Sequence, residues 1–285
     1  MNLKIILLFL YFGLSLLKAA EVLFDGQDVR VEANYFGKHK NLWICFGEIR
    51  LSSQHQLREG SETHFYLGNR RWGQPYFNHQ EIDTINIENY ANHWYQTLEM
   101  NDVIRIITAF KKDKNYENII TYGLSMGGYG AVLFAKPLGA TRILGLSPRF
   151  QFIDIDRAGH RKCREQLNLR PIFELPVDYE GEAYIFVGAE NSRDSIIVND
   201  PNGFSAIIRS PVKRHLFWLS SHEHNTASYL LKRGLLKTIV QLVDKGDLKE
   251  LSKVIQPLLA SRINPVQRLL FQFVGMMVRF DEVFE

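Results

Sequence analysis

Cysteine is scarce in this chain. Two residues, Cys45 and Cys163, stand far apart among 285, and no CxxC occurs. Neither a disulfide framework nor a zinc site is suggested. An excess of one charge is also lacking. Lys and Arg number 34 against 31 Asp and Glu, for a formal net charge of +3. With no long basic run, nothing argues for a nucleic-acid partner. Internal repeats and low-complexity segments are absent as well. The composition, 46% hydrophobic and 23% charged, is that of an ordinary globular protein. The length suits one large domain, or a domain with an appendage.

Near the N-terminus Lys4 precedes an apolar stretch, Ile5 to Leu17, followed by Lys18-Ala19-Ala20. The stretch is too short for an easy membrane span and has the shape of a secretory signal. Lys18 stands where a small residue is usual before a cut after Ala20. The expectation is an exported or membrane-associated protein, with a cytoplasmic location as the alternative. Residues 1–20 are read as a signal-like or anchor segment, 21–245 as the main domain and 246–285 as a C-terminal helical extension.

The richest stretch runs from Ile119 to Ala131. A β-branched run leads into Gly123-Leu124-Ser125-Met126-Gly127, and a small-residue helical run follows. Strand, sharp turn and helix with a serine at the apex is the context of a G-x-S-x-G nucleophile elbow. A Cβ at Gly123 or Gly127 is expected to collide with the neighbouring strand or helix. The Met126 N–H is expected to face a developing oxyanion.

Around the elbow the pattern alternates. Glu21 to Phe36 reads as a hairpin turning at Asp25-Gly26. Asn41 to Ile49 reads as a buried strand ending at Gly47, and Thr63 to Leu67 as another strand. Residues 68–95 read as an aromatic-rich loop. Met100 to Phe110 has helical spacing, with Val103, Ile106, Ile107 and Phe110 on one face. Further strands are expected at Thr141 to Leu146, Ala183 to Val187 and Arg214 to Leu219. From Thr226 the chain reads as helical, with Gly246 separating a first helix from an amphipathic tail. The spacing predicts an α/β fold with a mostly parallel central sheet, helices on both faces and an antiparallel leading edge.

A serine hydroxyl needs a base, and the base needs an orienting carboxylate. In this kind of sheet those partners follow later strands, in the order Ser, acid, His. After Gly188 come Glu190 and Asp194, the acid candidates, with Asp194 favoured. After Leu219 come His222 and His224, the base candidates. His224 is favoured because it immediately precedes the Asn225-Thr226 helix start. The second oxyanion donor is expected at Gly47 or Glu48. Arg70, Arg71, Trp72, Tyr76, Phe77, His79, His93, Trp94 and Tyr95 suit a sugar-bearing or acidic substrate, or else simple packing.

With these parts in order, residues 22–240 resemble the α/β-hydrolase superfamily. More closely, the chain is similar to the bacterial α/β-hydrolase-like proteins found with surface-polysaccharide genes. The residues carrying this are Asn92-His93-Trp94-Tyr95-Gln96, Gly123 to Gly130, Leu146-Ser147-Pro148-Arg149-Phe150 and His224 to Leu230. The resemblance implies Ser125 as nucleophile, Asp194 as acid and His224 as base, with no cofactor and no metal. Asn225 stands where a glycine often follows the histidine, and Asn191 stands at the usual acid position. The implied function is an esterase-like serine hydrolase acting on an ester or acyl group, on a small molecule, a glycan or a glycolipid. Acyl transfer with the same triad and a non-catalytic binding role are the alternatives. Membrane association through the N-terminal segment stays open, and nothing sets an oligomeric state.

Overall fold

The structure is a computed structural model. It describes residues 20–47, 74–90, 93–148, 179–189, 213–223 and 225–259. Eight strands form one sheet: β1 (Glu21–Asp25), β2 (Val29–Asn34), β3 (Asn41–Phe46), β4 (Thr84–Asn89), β5 (Asn118–Leu124), β6 (Arg142–Leu146), β7 (Glu182–Gly188) and β8 (Lys213–Leu219). Their order is β1-β2-β4-β3-β5-β6-β7-β8. The β1–β2 and β2–β4 pairs are antiparallel, and every pair from β4 to β8 is parallel. The described helices are α1 (Gln74–His79), α2 (Glu99–Lys112), α3 (Met126–Leu133), α4 (Thr226–Lys232), α5 (Leu236–Lys245) and α6 (Leu248–Ile255). None of these is long and apolar enough to cross a membrane.

Strand alternation explains why both faces are covered. In β3, Leu42, Ile44 and Phe46 join a core with Val103 and Ile107 of α2 and Met126 and Tyr129 of α3. Trp43, between them, joins the opposite core with Leu144, Tyr184, Ile239, Val240, Leu251 and Ile255. The sheet is thus a buried layer between α2 and α3 on one side and α4 to α6 on the other. Leu251 and Ile255 of α6 belong to this second core, and Leu219 bridges to Leu259.

Local chemistry sets the element ends. Acidic Glu99 and Asp102 open α2, and Lys111 and Lys112 close it, which complements the helix dipole. The Glu99 carboxylate also accepts from the amides of Gln27, Asp28 and Val29, closing the β1–β2 turn. Asn225 caps α4 and Asp247 caps α6, each accepting an amide of the first turn. Gly246 ends α5 in the left-handed conformation, φ 69°.

The hairpin is present, as are strands within the readings at 41–49, 141–146, 183–187 and 214–219; β3 spans Asn41–Phe46, and residues 48–49 lie outside the described residues. Thr63 to Leu67 lies outside the described residues. Two readings need correction. Residues 68–95 are not wholly a loop, because they hold α1 and β4. The β4 sequence Thr-Ile-Asn-Ile-Glu-Asn alternates as a strand should, yet all six residues are buried. Its polar positions look like loop residues in sequence. In the sheet some find partners, such as Thr84, which accepts from Asn34 at 3.2 Å. The helical segment before Gly246 is also two helices, parted at Gly234, φ 69°.

Candidate active site

The strand registers place the site. Leu124 pairs with Leu146, Leu146 with Phe186 and Phe186 with Phe217. The carboxyl ends of β5 and β6 are therefore level, and β7 and β8 run two residues further, to Gly188 and Leu219. The chain leaves that edge at Ser125, Ser147, Ala189 and Ser220.

Ser125 sits between β5 and α3 with φ 55° and ψ −115°, a region that residues with a Cβ rarely enter. Its N–H donates to Leu146 O at 2.9 Å and its carbonyl accepts from Tyr129 N–H at 3.0 Å. The side chain stays partly exposed. The flanking glycines are required by contact. A Cβ on Gly123 would lie 2.2 Å from the Gly127 carbonyl carbon and oxygen. One on Gly127 would lie 2.3 Å from Phe46 O and 2.8 Å from Gly47 O. The strand, the helix and the end of β3 thus meet backbone to backbone around the serine. As the first helical residue, Met126 offers an N–H without an intrahelical acceptor.

Gly47 marks the exit of β3. Its N–H donates to Ile87 O at 2.9 Å, continuing the β3–β4 ladder. Its carbonyl accepts from the Tyr95 hydroxyl at 2.6 Å.

On the far side, Ser147 has φ 39° and is buried. Its hydroxyl lies 3.4 Å from that of Thr226, the first residue of α4. The start of α4 is thereby held against the end of β6, next to the elbow. His222 follows β8 and is exposed. Asp194, Glu190, His224 and Glu48 lie outside the described residues. Among the described residues, no group of three or more His, Cys, Asp or Glu is arranged to hold a metal.

Of the aromatic segment, Phe77, His93, Trp94 and Tyr95 are buried packing residues. Phe77 is fully buried against Trp43, ring centroids 5.2 Å apart. Trp94 lies edge-on to Tyr129 at 5.7 Å. His79 is exposed. Arg70, Arg71, Trp72 and the Tyr76 side chain lie outside the described residues. His93 is buried, and its Nδ1 accepts the Tyr95 N–H at 3.1 Å. Its Nε2 therefore carries the proton and donates to Asp28 O at 3.0 Å.

Burial holds the His93 pKa below its ordinary 6.5. The unfolded chain accepts a proton there more readily than the folded one. The stabilisation from neutral His93 is thus complete above about pH 6.5 and lost progressively below it. The urea midpoint is expected to fall between pH 7.5 and pH 5.5, and to fall less in His93→Gln. Equal losses in both proteins would rule out this source of acid sensitivity.

The fold has known relatives in structure. The capsule O-acetyltransferase of Neisseria meningitidis serogroup A superposes with a TM-score of 0.53 at 16% identity, covering 79% of this chain and 96% of that one. A histidine-to-alanine mutant of that enzyme, in complex with CoA, gives 0.54 at 12% identity, covering 78% and 94%. A lipase/esterase from Lactobacillus plantarum gives 0.47 at 14% identity, covering 76% and 98%. No protein-family model and no curated protein sequence matches the chain. At these identities the likeness is one of fold, and the chain has the α/β-hydrolase fold.

Proposed function

We propose that the protein is a serine acyl hydrolase of the esterase type. The observation that carries this is Ser125, held in a strained elbow by glycines that no other residue can replace without a backbone clash. In this reading His224 takes the Ser125 proton as the hydroxyl attacks an ester carbonyl. Asp194 orients the imidazole and stabilises its charged form. Met126 N–H holds the oxyanion from one side. The second donor is assigned to the Glu48 amide rather than to Gly47, whose own N–H is engaged by Ile87. Loss of the alcohol leaves an acyl group on Ser125, and water removes it.

A second reading replaces that water with a sugar hydroxyl. Two structural likenesses with TM-scores of 0.53 and 0.54 are to a capsule O-acetyltransferase, one of them in complex with CoA. The shared chemistry is acyl transfer through Ser125, and a glycan or glycolipid is the proposed substrate class. Incubation with acetyl-CoA and an oligosaccharide, followed by mass spectrometry, separates the readings. Free acetate alone favours hydrolysis, and an acetylated glycan favours transfer.

The direct test is labelling of the full chain with a fluorophosphonate. Label is expected on the wild type and on His222→Ala, and is expected to be lost in Ser125→Ala and His224→Ala. Retention in His224→Ala with loss in His222→Ala would reassign the base. A folded but unlabelled wild type would remove the catalytic reading altogether.

A further inference from the structure

The chain ahead of α2 packs one aromatic ring against the end of β3 and against α3, the helix that follows Ser125. Tyr95 is 1% exposed and lies edge-on to Phe46 at the end of β3, ring centroids 5.1 Å apart. Gly130 of α3 faces both rings, and a Cβ there would come within 2.7 Å of Phe46 Cδ1 and of Tyr95 Cδ2 and Cε2. Its hydroxyl donates to the Gly47 carbonyl at 2.6 Å. With the Gly47 N–H held by Ile87 O, both hydrogen-bonding groups at the β3 exit are fixed. That exit presses on the first turn of α3, since the Phe46 and Gly47 carbonyl oxygens crowd Gly127.

The ring reaches this place along a strained backbone. Trp94 and Tyr95 are consecutive non-glycine residues at φ 55° and 59°. His93 braces the turn by accepting the Tyr95 N–H. Such strain persists only where the surroundings over-determine it, and it gathers at functional sites.

We propose that Tyr95 is a positioning residue for the oxyanion pocket. It holds the β3 exit at a set distance from the Met126 amide, so that donors from the two elements converge on one oxygen. The inference rests on the acyl-transfer reading of Ser125. Tyr95 acts through the Gly47 peptide and touches no substrate atom. Removing its hydroxyl keeps the ring packing but releases that peptide. The transition state loses alignment while ground-state binding is unaffected.

The test is Tyr95→Phe in the full chain, with fluorophosphonate inactivation resolved into its maximal rate and its half-saturation concentration. The maximal rate is expected to fall about 10- to 100-fold, as for a small misplacement of a reacting group. Half-saturation is expected to stay within about twofold. A thermal melt checks folding, and His93→Gln is the second variant, expected to lower the same rate by a smaller factor. Unchanged maximal rates in both variants would overturn the positioning role. So would a loss carried by half-saturation, which would make Tyr95 a wall of the binding site. If the wild type itself is not inactivated, the catalytic reading fails first and the positioning role falls with it.

Discussion

Ser125→Ala is expected to abolish covalent labelling and to lower kcat by about 10⁴-fold or more. Triad serines act as part of a unit, and losing one member removes nearly the whole covalent route. The protein should nevertheless fold, because the hydroxyl is not what shapes the turn. The backbone at φ 55° and ψ −115° is imposed by the packing of Gly123, Gly127 and the end of β3. Alanine keeps the Cβ and therefore keeps the strain, so its stability should stay near that of the wild type. Ser125→Gly should abolish labelling equally while raising stability by about 1 kcal/mol, since glycine enters this region without strain. Chemical denaturation of the three proteins measures this. Equal stability of the glycine and alanine variants would show that the elbow stores no strain.

Gly123→Ala and Gly127→Ala are expected to give the largest losses of stability. In both, the new Cβ would fall within 2.3 Å of backbone atoms. A flexible side chain could move aside, whereas strand β5, helix α3 and the exit of β3 can do so only by separating. Overpacking of a core typically costs 1–3 kcal/mol, and a contact with rigid backbone belongs at or above the top of that range. We expect a loss of about 3 kcal/mol or more, or failure to accumulate as folded protein. Urea unfolding or soluble yield reports it. A well-folded Gly123→Ala with full labelling would mean that β5 and α3 part easily, against the packing described here.

Much of the scaffold is legible in the sequence. The elbow was readable because its glycines are required by sterics, and steric need writes directly into residue identity. The parallel strands were readable as apolar runs because both of their faces are buried. Strand β4 was hidden for the opposite reason, since Asn86, Glu88 and Asn89 are polar residues buried within the sheet. The role of Tyr95 was also hidden. Neither Trp94 nor Tyr95 is a residue type that announces a left-handed backbone, so the turn that aims the ring leaves no local signal. Gly130 was visible as one more glycine of a small-residue helix. Only the fold shows that its missing side chain makes room for the Phe46 and Tyr95 rings. At the site, strand ends suggest the order Ser, acid, His, and the favoured acid and base, Asp194 and His224, lie outside the described residues. The choices between Asp194 and Glu190, and between His222 and His224, depend on loop geometry that spacing does not encode.

The shared carboxyl edge of the parallel strands β5 to β8 has an evolutionary consequence. Ser125 is anchored by a backbone hydrogen bond to the end of β6 and by the packing of α3, independently of how far the neighbouring connections extend. Segments leaving β3, β6, β7 and β8 can lengthen, shorten or change composition without displacing Ser125. Such an architecture keeps reactivity in an inherited frame and leaves selectivity to interchangeable rims, so related enzymes can diverge in what they accept while retaining one way of breaking a bond.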